Sequence, residues 1–231
     1  LINRRAVLRS AYAQFMFALA GADADQMDRM RNYITSMCTG WDVAQIREIV
    51  SETLHDIIDP IVYNEAVELI EQHKAAGRDV VIVSASGEEV VGPIGEMLGT
   101  DDVVATKMVI ADGKYTGEIA RYVYGAAKAE AVIELARARG YDLAQCYAYS
   151  DSSTDIPMLE AVGHPYAVNP DRALRKAAAE HEWPILSFTN AVPLRERIHP
   201  PQKSTALVVA GAGAAAAGLL WYAASRRTPR D

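Results

Sequence analysis

Asp79-Val80-Val81-Ile82-Val83-Ser84-Ala85-Ser86-Gly87 is the stretch that decides how this 231-residue chain is read. Its four consecutive β-branched residues show no polar alternation, the pattern of a strand buried on both faces of a parallel sheet. A helical segment over 88–98 follows and closes at Gly99, where a C-terminal glycine is expected. Further on, 103–106 and 108–119 bracket Asp112-Gly113, a two-residue turn that favours a β-hairpin. A helix over 126–139 stops at Gly140. Then come a strand over 146–149, a short helix over 156–161, a strand over 166–168, a helix over 171–180 and a last strand over 185–188. Strands alternating with helices at this rhythm predict an α/β fold with a doubly wound, mostly parallel sheet.

Outward from this core the texture changes on both sides. Toward the N-terminus the period is helical, with Val7, Leu8, Ala11, Phe15 and Leu19 over 4–20, then Met27, Met30, Ile34 and Met37 after Asp25. Asp42 is placed to cap a third helix through Val43, Ile46, Val50, Leu54 and Ile57. Pro60 opens a fourth, which runs to Ala76 and closes at Gly77. Toward the C-terminus, residues 191–205 hold Pro193, Pro200 and Pro201 among charges and read as a linker. Residues 206–224 form an uncharged run of 19, about 29 Å long as a helix, close to a bilayer's hydrocarbon thickness. Trp221 and Tyr222 precede Arg226 and Arg227 there, an interfacial order, so a C-terminal transmembrane helix is expected. The alternative is a flexible tail, since twelve of the 19 are Ala or Gly.

Composition narrows the function classes. A net charge of −7 argues against a broad nucleic-acid surface, and the sum divides into +4 after residue 190 and −11 before it. Cys38 and Cys146 lie far apart and follow no metal-ligand spacing, which excludes a disulfide scaffold or a zinc ribbon, and the five histidines form no HxH or HExxH group and read as structural or surface residues. The absence of GxxxxGK[ST] and of GxGxxG argues against a nucleotide enzyme.

Ligands of open α/β sheets bind at the carboxyl ends of the strands, so the polar groups ending each apolar run are the candidates. Ser84-Ala85-Ser86-Gly87 offers hydroxyls and a helix N-terminus suited to a phosphate. Asp151 and Asp155, four apart after 146–149, form an acidic pocket suited to Mg²⁺; alternatively Asp155 merely caps the next helix. Lys128 lies in the first turn of its helix, where a cation is disfavoured unless an anion faces it. The alternative is a solvated surface lysine.

In that order, the stretches at 77–86, 112–118, 124–131, 149–159 and 162–171 resemble the haloacid dehalogenase superfamily, in particular its phosphoserine-phosphatase-like subfamily IB and actinobacterial members with a hydrophobic C-terminus. The resemblance covers essentially the whole chain. It implies a helical cap over 1–76, a core over 77–190 and Mg²⁺ as cofactor. It also implies that Ser84 contacts the transferred phosphoryl group with Ser86 nearby, and that Lys128 pairs with the nucleophilic carboxylate and the phosphate. Asp151 would ligate Mg²⁺, and Asp155 would support the metal through a water or orient Lys128, with Ser152 and Thr154 as outer candidates. One departure is large. The family's Asp-x-Asp-x-Thr, which supplies nucleophile and general acid/base on a central first strand, has no counterpart, and no acidic residue occurs before Asp23. The expectation is that about 30 further residues, enough for that strand and the helix after it, precede Leu1 in the functional protein.

The resulting expectation is a Mg²⁺-dependent phosphomonoester phosphatase acting through a phospho-aspartyl intermediate in its complete form, the 231 residues alone being inactive. Its substrate would be a small phosphorylated metabolite such as phosphoserine. The alternative is a membrane-anchored, non-catalytic phosphate- or metal-binding protein. The other expectations are a membrane anchor at the C-terminus, a cytoplasmic catalytic body, no nucleic-acid partner, and a homodimer formed through the tail or cap.

Overall fold

A computed structural model describes residues 35–36, 38–58, 62–190 and 207–210. The helices expected over 4–20 and across most of 25–37 lie outside these residues. In chain order the elements are α1 (Val43–Ile58), α2 (Asn64–Ala75), β1 (Val80–Gly87), α3 (Glu88–Leu98), β2 (Asp102–Ala111), β3 (Lys114–Arg121), α4 (Ala126–Arg139), β4 (Tyr147–Ser150), α5 (Ile156–Glu160), β5 (His164–Val168), α6 (Arg172–Glu180), β6 (Ile185–Leu186) and β7 (Leu207–Ala210). The turn chemistry acts as read from the sequence. Asp42 Oδ1 accepts from the Gln45 N–H at 3.1 Å to start α1. Asp112 and Gly113 both take positive φ, 48° and 72°, between the antiparallel β2 and β3, as a two-residue hairpin turn requires.

The strands form two sheets, ordered β3-β2-β1-β7 and β4-β5-β6. β1 pairs in parallel with both β2 and β7, while β4, β5 and β6 are mutually parallel. β1 explains the fold physically because its apolar run alternates between two buried layers. Val81 and Val83 pack with Ala129 and Val132 of α4, Met158 and Leu159 of α5, and Leu174 of α6. Val80 faces Ile70 of α2, and Ile82 faces Val91 of α3. Each buried Val, Ile, Leu or Met side chain among these contributes on the order of 2 kcal/mol. Helices therefore cover both faces of β1, as a doubly wound sheet requires.

One element differs from the sequence reading. Residues 207–210, expected to lie in a membrane-spanning helix, form a strand that pairs with Val80–Val83 and lies beside β4. The physical reason is that a strand buried on both faces needs hydrogen-bond partners on both edges, and Leu-Val-Val-Ala is apolar enough to serve on the edge that β2 leaves open. The rest of the 206–224 run lies outside the described residues, among which no helix is long and apolar enough to cross a membrane. α2, grouped with the cap in the sequence reading, packs its Ile70 and His73 on the core sheet. Its first turn is fastened to the far end of the core, where the Glu65 carboxylate accepts the N–H groups of Thr189 and Asn190 at 2.9 and 3.1 Å.

His73 shows how tightly α2 is held. Arg78 Nη1 can only donate, so His73 Nδ1, 3.0 Å away, accepts. Nε2–H therefore donates to the Tyr149 hydroxyl at 2.8 Å. The ring is 5% exposed. Burial first, and the Arg78 charge second, push its pKa down to about 4. Below pH 6.5 the unfolded histidine takes up a proton that the folded one refuses until about pH 4. Stability should thus fall through this window as pH drops, by about 3 kcal/mol at most. Urea unfolding of wild type and His73→Gln between pH 7 and 4 tests this: the wild type's advantage should shrink as pH falls, and parallel curves would contradict it.

Candidate active site

The centre of the site is a buried ion pair. Lys128 on the first turn of α4 is 7% exposed and Asp155 is 1% exposed, with Lys128 Nζ donating to Asp155 Oδ2 at 2.7 Å. The same oxygen accepts from the Ser150 hydroxyl at 2.7 Å, and Asp155 Oδ1 accepts more weakly from Thr154 at 3.4 Å. Desolvating two charges is costly unless each finds close, well-directed partners. Here Asp155 has Lys128 and Ser150 on one oxygen. Of the two roles the resemblance leaves for Asp155, the contact to Lys128 is the one seen directly. The lysine is not the solvated surface residue that its helix position would otherwise suggest.

Local structure delivers Lys128 to this place. Gly125, the residue before α4, has φ 56° and ψ −128°, a region that is essentially glycine-only. Its turn brings the chain from β3 into the helix beside the Thr154 carbonyl, 4.0 Å from where a Cβ would stand. β1 ends in an irregularity: Ser84 pairs with Ala105 but Gly87 pairs with Thr106, so Ala85 and Ser86 are extra residues. Bulges of this kind re-aim side chains near sites. Ser84 Oγ accepts from the Ser86 N–H at 3.2 Å, while Ser86 is 4% exposed and turned into the protein. Thr106 joins this loop to the lysine segment, its hydroxyl donating to the Ala85 carbonyl at 2.8 Å and accepting from the Val123 N–H at 3.1 Å. Thr106 and Ser150 carry no role in the sequence reading: Thr106 is a lone hydroxyl in a mainly apolar run, and Ser150 is one of four hydroxyl residues between 150 and 154, with nothing in the spacing to single it out.

Asp151 is the second acidic residue of the pair read from the sequence, and its state differs from that of Asp155. It is partly buried and makes no ion pair among the described residues. Desolvation is the main cause raising its pKa to about 6, with the charges of Asp155 and Asp171 adding to it. Its own backbone N–H and Lys128 pull the other way. Among the described residues no group of three or more His, Cys, Asp or Glu could hold a metal ion. An ion held by a single carboxylate does fit, because Asp151 is an under-compensated anion and Mg²⁺ usually keeps several waters and takes substrate oxygens as ligands.

Residues 1–160 match the family described as haloacid dehalogenase-like hydrolase. The chain belongs to that family. This hydrolase is 63% identical over 233 residues to the "Inhibition of morphological differentiation protein" of Streptomyces azureus, covering 98% of this chain and 84% of that one. It is 60% identical over 229 residues to a probable phosphatase of Mycobacterium tuberculosis, covering 98% and 80%. With a phosphoserine phosphatase of the same organism it shares 35% identity over 228 residues, covering 98% and 71%. Among solved structures, a Bordetella pertussis protein of unknown function superposes with a TM-score of 0.65 at 26% identity, covering 77% of this chain and 91% of that one. A phosphoserine phosphatase captured as a phospho-aspartyl intermediate analogue does so at 0.58 and 22%, covering 84% and 86%, a likeness of fold.

Asp151 makes a stability prediction for the hydrolase. The folded carboxyl holds its proton up to about pH 6, above the ordinary value of 3.8. Stability is therefore lost as pH rises through that interval, and at pH 7 the charged group costs roughly 3 kcal/mol at most. Asp151→Asn should melt above wild type at pH 7 with EDTA present, and the gap should close toward pH 4. A gap that does not change with pH would contradict this.

Proposed function

We propose that this hydrolase is a phosphoserine-phosphatase-like phosphomonoesterase that uses Mg²⁺ and a phospho-aspartyl intermediate. The observation that carries the reading is the buried Lys128–Asp155 pair at the ends of β4 and α4. A lysine kept charged and dehydrated by a single carboxylate has further N–H donors for an anion, and phosphate is the anion that the family's hydrolases of this kind handle. The phosphatase names of the two Mycobacterium tuberculosis relatives support the same class.

In this reading each residue has a separate task. Ser84, on the loop that Thr106 ties to the Lys128 segment, donates to a phosphoryl oxygen. Lys128 bridges that phosphoryl group and the attacking carboxylate, and its charge stabilises the transition state in a site where little water screens it. Asp155 and Ser150 hold the ammonium in place. Asp151 would hold the metal, which when bound neutralises phosphate charge, and Asp155 would support it through a water. The 231 residues contain no Asp-x-Asp-x-Thr. The attacking aspartate and the acid/base aspartate are therefore assigned to residues outside them, and the 231 residues alone should show no turnover. The substrate is a small phosphorylated metabolite, with phosphoserine the first choice.

The test is phosphate release from a panel of phosphomonoesters, phosphoserine included, by a protein that carries these residues together with an Asp-x-Asp-x-Thr strand. Release should require Mg²⁺, and Lys128→Met, checked for a native circular dichroism spectrum, should lower kcat by about 100-fold or more. Turnover at the wild-type rate by a folded Lys128→Met protein would overturn the reading.

A further inference from the structure

We infer that Asp171 is a positioning residue that holds Asp151 in its metal-ready geometry by bonding the Asp151–Ser153 loop from the neighbouring strand end. The inference rests on the Mg²⁺ reading of Asp151 given above.

Asp171 follows β5 and caps α6, its Oδ1 accepting from the Leu174 N–H at 2.7 Å. A helix cap needs only that one oxygen. Asp171 makes two further bonds that the cap does not require, and both go to the loop after β4. Its N–H donates to the Asp151 carbonyl at 2.9 Å, and its Oδ2 accepts from the Ser153 N–H at 2.8 Å. The loop is thereby held on either side of Ser152 by one residue, about one strand and one helix away in sequence.

The other side of the same loop is held by Ser150. Its hydroxyl accepts from the Ser152 N–H at 3.2 Å while donating to Asp155 at 2.7 Å. Between them, Ser150 and Asp171 fix the backbone of 151, 152 and 153, so that Asp151 carries its carboxylate on a main chain with little freedom to turn. Residues that orient a metal ligand through its own backbone or side chain typically change metal affinity by 10–100-fold when altered. Asp171 has the chemistry for this: a carboxylate with two acceptor oxygens can serve the cap and the loop together, whereas a serine can serve only the cap.

That difference supplies the test. Asp171→Ser retains a cap residue of similar quality and removes the bond to Ser153. The melting temperature of the 231-residue chain is followed with and without added Mg²⁺, for wild type, Asp171→Ser and Asp171→Asn. Asp171→Ser should leave the metal-free melting temperature nearly unchanged and weaken the apparent Mg²⁺ affinity by roughly 10-fold or more. Asp171→Asn, whose single carbonyl oxygen satisfies one partner, should fall between the two. An Mg²⁺ affinity in Asp171→Ser within twofold of wild type would overturn the assignment and leave the Asp151 reading standing. Wild type showing no response to Mg²⁺ would overturn both. A metal-free melting temperature that falls in step with the affinity would show Asp171 to be a helix cap alone, which also overturns the assignment.

Discussion

Lys128 and Asp155 are both almost fully dehydrated, and each charge would be costly to bury without the other. That requirement constrains three segments at once. α4 must begin where its first turn can face the end of β4, so the chain enters it through the glycine-only conformation of Gly125. The loop after β4 must turn back on itself so that Ser150 and Asp155 meet at one oxygen. The end of β1 must stay in register with the lysine segment, which the Thr106 hydroxyl secures from between them. The buried pair contributes less as a source of stability than as a constraint on geometry, since an apolar pair of similar size would be about as stable or more so. Its retention makes sense where a fixed, unscreened ammonium is needed.

The sheet supplies the platform. Because β1 is buried on both faces, its edges as well as its side chains must be satisfied, and β2 on one side and β7 on the other do so. The parallel strands then end together, and the hydroxyls and carboxylates that follow them gather where open α/β sheets bind ligands. Asp151 is a partly buried carboxylate there that makes no ion pair among the described residues. Its raised pKa reflects burial beside Asp155 and Asp171, and a cation would relieve it.

Much of this was legible in the sequence because it rests on local signals. The four β-branched residues of β1, the Asp112-Gly113 hairpin, and Gly99 and Gly140 after α3 and α4 each follow from the chemistry of a few adjacent residues. Lys128 was legible because a cation in the first turn of a helix is disfavoured unless an anion faces it, and Asp151 and Asp155 because two carboxylates four apart follow an apolar strand. Their division of labour was not legible, because it depends on which carboxylate oxygen faces the ammonium across 27 positions of chain. Thr106 and Asp171 were missed as site residues for the same reason: each bonds backbone groups of a distant segment, and nothing in their own neighbourhood announces it. β7 was misread because an apolar run of Leu, Val and Ala fits a helix or a strand, and the open edge of β1 decides between them.

The central claim is that the Lys128–Asp155 pair is a mutually dependent charge pair kept for its geometry. The most direct measurement is a double-mutant cycle in urea unfolding with Lys128→Met, Asp155→Leu and the double variant. Each single change should cost about 3–5 kcal/mol by leaving one charge buried alone, and the double variant should recover most of that loss. Additive losses, with no coupling beyond about 0.5 kcal/mol, would show that the two charges do not depend on each other and would contradict the account.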